Sequence, residues 1–133
     1  MKQEYLFHGS NTGGIKVLEP RISLEFKKLV YATDDLAYAL VRAGRQIDVI
    51  REEYQGKGRP FELAECYPNA FEQMFNCSGY VYLLNRDDFT RNPETGEYIS
   101  TKPVRVQGCI PVDNVLRAII SMKDSYDFHW YYD

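Results

Sequence analysis

The chain has 133 residues, of which 44% are hydrophobic and 26% charged, and this composition is typical of one globular domain spanning residues 1–133. Its net charge of −3 and lack of a dense Lys/Arg cluster argue against a nucleic-acid backbone as partner, because phosphate binding draws on clustered cations. No apolar run approaches the roughly 20 residues needed to cross a membrane, and three widely spaced cysteines fit neither a disulfide scaffold nor paired zinc ligands. We therefore expect a cytoplasmic protein with no metal and no membrane partner.

The first third of the chain predicts two strands followed by a helix. "EYLFHG" predicts a strand that ends in the Gly-rich turn "SNTGG", and "KKLVYAT" predicts a second strand after the irregular stretch "IKVLEPRISLEF". "DDLAYALVRAGRQ" then predicts a helix with one apolar face. Thr33 or Asp34 is its expected N-cap, and Gly44 its expected stop.

The remainder predicts more strands than helices. Between residues 45 and 60, "IDVIREEY" is ambiguous between strand and helix and "QGKGRP" predicts a loop, and residues 86–96 are expected to form a polar loop. Helices are predicted for "PNAFEQMF", with Pro68 in its first turn, and for "VDNVLRAIISM", with Asp113 at its start. The predicted strands are "PFELAECY", "GYVYLLN", "EYIST" and "VRVQGCIPV", whereas the tail "KDSYDFHWYYD" has no assigned structure. This order predicts an α+β fold with a largely antiparallel sheet and helices packed on one side.

Three of these predicted strands carry polar groups at their edges. They are His8-Gly9-Ser10, Tyr31-Ala32-Thr33 and Glu97-Tyr98-Ile99-Ser100. Each has an ordinary structural interpretation when taken alone: a histidine in a turn, a packed tyrosine and an exposed glutamate. Their order along the chain is more informative than any one of them.

The stretches "FHGS", "VYATDD-AYA" and "EYIS", in this order between residue 5 and about residue 120, resemble the ADP-ribosyltransferase superfamily. The resemblance is to the branch with a His-Tyr-Glu triad, which includes the poly(ADP-ribose) polymerases. The stretch "AECYPNAFEQMF…GYVYLLN…EYISTKPVRV" is also similar to small bacterial proteins of this superfamily, most of them uncharacterised. The resemblance implies a single domain with split, largely antiparallel β-sheets, and NAD as a substrate.

The resemblance also implies a role for each of five residues in NAD binding. His8 would hydrogen-bond the adenosine-side ribose, Gly9 would offer its backbone N–H and C=O to the nicotinamide carboxamide, and Ser10 would add a hydroxyl there. Tyr31 would stack on the nicotinamide ring, with Thr33 beside it. A neutral imidazole suits the ribose contact because it carries one donor and one acceptor. A glycine suits the close approach of the carboxamide to the backbone.

The resemblance implies a catalytic triad of Glu97, His8 and Tyr31, in which Glu97 is the residue expected to act on the reacting bond. A carboxylate there would hydrogen-bond the 2′-hydroxyl of the nicotinamide ribose and stabilise the positive charge that develops on that ring. It would also orient or deprotonate the incoming nucleophile. Glu94, three residues upstream in "NPETGEYIS", is the competing carboxylate. Glu97 is preferred because it directly precedes the Tyr-Ile of the strand.

The predicted function is mono-ADP-ribosyl transfer or NAD hydrolysis, because the chain has no room for the extra helical domains of the polymerases. The acceptor stays open between protein, nucleic acid, small molecule and water, and an antitoxin or another partner protein is possible. The alternatives are an inactive module that binds a nucleotide or ADP-ribose and, less favoured by the sparse basic content, an RNA 2′-phosphotransferase-like enzyme. The aromatic tail is expected to cover the core rather than form a docking surface, and His129 to have no site role.

Overall fold

Residues 5–22 and 27–131 are described by a computed structural model, and within them the chain forms eleven strands and three α-helices. The helices are α1 (Leu36–Arg42), α2 (Ala70–Phe75) and α3 (Val115–Ser121). The strands are β1 (Tyr5–Ser10), β2 (Val17–Leu18), β3 (Arg21–Ile22), β4 (Lys28–Ala32), β5 (Ile50–Glu53), β6 (Phe61–Glu65), β7 (Gly79–Asn85), β8 (Thr90–Arg91), β9 (Tyr98–Ser100), β10 (Val104–Val112) and β11 (Tyr126–His129). This is a small single-domain α+β protein, as the sequence predicted.

The strands form three sheets. The first has the order β1-β7-β10-β2, the second β3-β4-β9-β8 and the third β11-β6-β5. All pairs of neighbouring strands are antiparallel except β11 with β6, which are parallel. The predicted antiparallel character is therefore confirmed.

Among the residues that the structure describes, the hydrophobic core forms two clusters, one on each face of the first sheet. Alternation along β7 sends Val81 into the larger cluster and Leu84 into the smaller one. The larger cluster is formed by the apolar faces of all three helices and by the inner faces of β5, β6 and β11. The smaller cluster joins the first sheet to Val30 of β4. The second sheet is thus held to the first by apolar packing.

The helix boundaries lie close to the predicted ones, but the residue predicted to begin each helix is wrong. Asp35, not Thr33 or Asp34, is the N-cap of α1, with its carboxylate accepting from the Ala37 N–H. The N-cap of α3 is Asn114 rather than Asp113. Pro68 lies before α2, whose N-cap is Asn69 with a φ of 63°. In each case the N-cap is a residue one or two positions further along the chain, and its backbone is extended or left-handed, as is usual before the first turn.

Two segments without a clear prediction are strands, both in the third sheet. The ambiguous region contains β5, and the tail contains β11. Tyr126 is buried and its hydroxyl donates to the Ala37 carbonyl at 2.7 Å, while Phe128 packs against Phe71. The tail therefore covers the core, as expected, and its last two residues lie outside the described part of the chain. The predicted polar loop includes the short strand β8.

Candidate active site

His8 lies near the end of β1, opposite Tyr82 of β7, and its ring is hydrogen-bonded to the neighbouring strand β4. Nδ1 is 2.8 Å from the Tyr31 carbonyl oxygen. Because a carbonyl only accepts, Nδ1 carries the proton, and in the neutral ring Nε2 presents a lone pair. Burial lowers the pKa of His8 below its usual 6.5, and the positive charge of Arg21 lowers this pKa further. The hydrogen bond to the Tyr31 carbonyl raises the pKa and only partly offsets the burial. The ring is therefore neutral at pH 7.

Strands β1 and β4 meet over a very short length. Among the described residues, two backbone hydrogen bonds join them, from the Phe7 N–H to the Thr33 carbonyl at 2.7 Å and from the Thr33 N–H to the Phe7 carbonyl at 2.9 Å. Backbone groups two residues apart in a strand point to the same edge. The N–H and C=O of Gly9 and of Tyr31 therefore point into the space between the two strands. We call this space, bordered by His8, Gly9, Tyr31 and Thr33, the seam.

Gly9 is a glycine for a reason that differs from the predicted one. A Cβ built on Gly9 would lie 1.8 Å from the carbonyl oxygen of Ala39 and 2.9 Å from the backbone nitrogen of Ala43, both on or next to α1. Helix α1 therefore packs directly on the β1 backbone, and a side chain is excluded by the helix. The prediction placed the close approach at the nicotinamide. The structure puts α1 against the α-carbon, while the amide and carbonyl of Gly9 face the seam.

The two hydroxyls predicted to bind the cofactor both accept local hydrogen bonds. Ser10 Oγ accepts from the Thr12 N–H at 3.1 Å, at the start of the Gly-rich turn. Thr33 Oγ1 accepts from the Asp35 N–H at 3.0 Å and so shapes the entry to α1. Each hydroxyl still carries a proton that it can donate. Ser10 and Thr33 thus have structural roles that leave a donor for a ligand.

Tyr31 is half-buried on the face of β4 opposite the smaller core cluster. Val30 and Ala32 belong to or pack against that cluster, so strand alternation directs the Tyr31 ring to the other face. Ile99 of β9 lies directly opposite Tyr31 and shares its face. The tyrosine is therefore a partly exposed aromatic surface between β1 and β9.

Glu97 directly precedes β9 and is exposed. Tyr98 pairs with Ala32, so Glu97 lies one residue further on, beside the end of β4 where Thr33 bonds to β1. The Thr95 hydroxyl lies 3.4 Å from the Glu97 carboxylate, and the Glu97 carbonyl accepts from the Asn92 N–H at 2.7 Å. Glu94 lies in the turn, away from the strand pair, with its N–H bonded to Asn92 Oδ1 at 3.0 Å. The two carboxylates thus differ in position relative to β4.

Two arginines close to these residues were missed by the sequence reasoning. Arg21 of β3 acts electrostatically on His8, and Arg86 lies over the Tyr98 ring at 5.0 Å from its centre. Arg86 also donates to the Tyr98 hydroxyl at 3.2 Å. Nothing in the local sequence links either arginine to the motif residues, because β3, β4 and β9 come together only through sheet pairing. Arg86 also lies 4.0 Å from an Asp34 carboxylate oxygen, which partly balances its charge.

The predicted residues are thus brought together by three neighbouring strands, with β4 in the middle. His8, Gly9 and Ser10 come from β1, Tyr31 from β4, Thr33 from the residue after it, and Glu97 from the residue before β9. A groove of about 440 Å³ elsewhere, lined by residues such as Phe71, Leu116 and Trp130, contains none of them.

Comparison of the chain with protein-family models, with curated proteins and with solved structures gave no match. Within the described residues, no helix is long and apolar enough to span a membrane. All three cysteines, Cys66, Cys77 and Cys109, are free thiols.

Proposed function

We propose that this protein is an NAD-consuming mono-ADP-ribosyltransferase that uses the seam between β1 and β4 as its nicotinamide site. The observation that carries the proposal is the hydrogen bond from His8 Nδ1 to the Tyr31 carbonyl. It ties the first two motif residues together across the seam and leaves Nε2 of a neutral imidazole as an acceptor for a ribose hydroxyl. The pairing of β4 with β9 supports the third residue, Glu97, at the same edge.

The backbone supplies the recognition of the nicotinamide in this proposal. A primary carboxamide has one acceptor and two donors, which complement one backbone N–H and one C=O. Gly9 directs both of these groups into the seam, and the Ser10 hydroxyl adjoins them. The partly exposed ring of Tyr31 would stack on the nicotinamide, a contact that contributes about 0.5–1.5 kcal/mol beyond buried area.

Glu97 acts on the bond that breaks. The bond between ribose C1′ and the nicotinamide nitrogen breaks with its electron pair leaving on nicotinamide, so positive charge grows on the ribose ring. A carboxylate held near the 2′-hydroxyl stabilises that charge. The acceptor oxygen or nitrogen then forms the new bond to C1′ and loses its proton, with Glu97 as base. With water as acceptor the products are ADP-ribose and nicotinamide.

The decisive experiment compares Glu97→Gln with Glu94→Gln. These matched substitutions remove one carboxylate each from the same hairpin, and both positions are exposed. We expect nicotinamide release from NAD to fall by about 10²–10³-fold in Glu97→Gln and to stay near wild type in Glu94→Gln. Equal activity of Glu97→Gln and wild type would refute the assignment of Glu97.

NAD binding must be measured on the same samples, because turnover alone does not separate the enzyme from a binding module. Calorimetric NAD binding that persists in Glu97→Gln, together with lost turnover, is the expected pair of results. Binding without any nicotinamide release by the wild-type protein would identify an inactive nucleotide-binding module instead. Absence of both would exclude NAD as the ligand of the seam.

A further inference from the structure

The outer face of the third sheet carries two carboxylates and an imidazole in one patch. Phe61 and Leu63 of β6 point into the core, so Glu62 between them points outward. Asp127 of β11 pairs in parallel register with Glu62, and His129 lies two residues further along the same strand. Strand periodicity therefore places Glu62, Asp127 and His129 on one face without help from any loop.

The two distances from His129 within this patch match the spacing of neighbouring metal ligands better than that of hydrogen bonds. His129 Nε2 is 3.4 Å from Glu62 Oε1 and 3.5 Å from Asp127 Oδ2, and one donor atom from each of the three side chains lies within 4.8 Å of the others. Hydrogen bonds from nitrogen to oxygen are shorter, about 2.7–3.2 Å. Around a tetrahedral ion with bonds of about 2.1 Å, neighbouring ligand atoms are about 3.4 Å apart.

We propose that Glu62, Asp127 and His129 bind one divalent transition-metal ion, of which Zn²⁺ is the representative. One imidazole nitrogen with two carboxylate oxygens suits this class of ion, whereas Mg²⁺ and Ca²⁺ prefer all-oxygen sites. All three side chains are partly exposed, so a fourth position is open to water. This proposal departs from the expectation of no metal and no site role for His129.

The second oxygen of Glu62 already has a partner that orients it. Gln55 Nε2 donates to Glu62 Oε2 at 2.9 Å, whereas Glu62 Oε1 is the atom nearest His129. An outer partner of this kind fixes a ligand carboxylate and raises metal affinity. One oxygen of Glu62 thus accepts from Gln55, and the other oxygen faces the proposed ion.

The charges across the sheet also favour a cation. Glu53 of β5 is opposite Glu62, which is opposite Asp127, so three carboxylates cross the sheet in one row at a strand spacing of about 4.8 Å. Like charges directly opposite each other destabilise a sheet. The His129 ring lies beside both Glu62 and Asp127 on the same face. Arg51 lies in the next row, opposite Ala64.

The test is a titration of the full chain, stripped of metal by a chelator, with ZnCl₂ in a calorimeter. We expect about one Zn²⁺ per chain, with affinity about tenfold or more lower in His129→Ala and in Asp127→Asn. Glu53→Gln is the matched control, because it removes one carboxylate of the row that is not a proposed ligand, and it should keep the stoichiometry. Melting without metal checks that each variant is folded.

Equal Zn²⁺ affinity in wild type and His129→Ala would overturn the proposal, as would an absence of saturable binding to the wild type. Binding at the free cysteines would also give equal affinities and so counts against the site. The outcome is independent of the NAD experiment, since the patch is on the third sheet and the seam joins the first two.

Discussion

Gly9→Ala separates the packing role of this glycine from its proposed ligand role. The added Cβ would lie 1.8 Å from the Ala39 carbonyl oxygen, whereas real Cβ contacts essentially never fall below 3.0 Å. Helix α1 would have to retreat by about 1.2 Å, because the obstacle is helix backbone and not a flexible side chain. Gly79 on β7 meets the same helix, with Ala43 O 2.5 Å from its Cβ position, so the helix has little room to slide along the sheet.

The expected loss in free energy of unfolding is about 3 kcal/mol, the upper end of the range for overpacked cores. For a chain of this length that corresponds to a fall in melting temperature of roughly 10 °C. Thermal and urea denaturation followed by far-UV circular dichroism, without NAD, measure it directly. Gly108→Ala is the control: its Cβ would contact Leu83 Cδ1 at 3.4 Å, an ordinary distance, so its stability should stay within about 1 kcal/mol of wild type.

A Gly9→Ala protein that melts within a degree or two of wild type would refute the packing argument. If that stable variant also lost NAD binding, the glycine would be required by the ligand alone. A large loss of stability in the apo protein cannot come from a ligand contact, so the apo measurement decides between the two roles.

Two further predictions concern the entry to α1 and the protonation of His8. Asp35→Ala should lower the free energy of unfolding by about 1–2 kcal/mol in urea denaturation, because the carboxylate caps the Ala37 N–H at 3.1 Å and accepts from the Tyr54 hydroxyl at 2.7 Å. The control, Asp34→Ala, removes 4.0 Å ion pairs and should cost less than about 0.5 kcal/mol. Equal losses in the two variants would contradict the assignment of Asp35 as the cap. Because the pKa of His8 is lowered in the folded protein, the unfolded chain takes up a proton first as the pH falls below about 6.5, so wild-type stability should drop between about pH 6.5 and the lower folded pKa. His8→Asn keeps a donor for the Tyr31 carbonyl and should reduce this loss of stability, measured as the difference between the urea midpoints at about pH 7 and pH 5. A loss of stability as large as that of the wild type would show that other groups cause it.

The elements with a clear local period were predictable from the sequence. The apolar face of α1 and the β-branched, aromatic run of β7 each specify one structure from their own residues. β5 and β11 could not be predicted, because their identity as strands depends on pairing with β6 from segments before and after it in the chain. The N-caps of α1 and α3 were misplaced by one or two residues, because neighbouring side chains with oxygen atoms have the same capping chemistry.

The candidate site was predictable only as a set of residues. Sequence order suggested that His8, Tyr31 and Glu97 belong together, and strand pairing brings β1, β4 and β9 side by side. The hydrogen bond between the His8 ring and the Tyr31 carbonyl, the charge of Arg21 and the clash at Gly9 depend on distances that no local pattern encodes.

The narrow contact between β1 and β4 gives the protein a built-in reporter. The amides of Phe7 and Thr33 form the two backbone hydrogen bonds recorded across it, so their exchange with deuterium is governed by how often these strands separate. A molecule that bridges both strands must slow exchange through separation of the two strands, because it has to leave one strand before they part, whereas one bound to a single strand does not oppose that local motion. Protection of two amides can therefore screen candidate ligands without any assay of turnover.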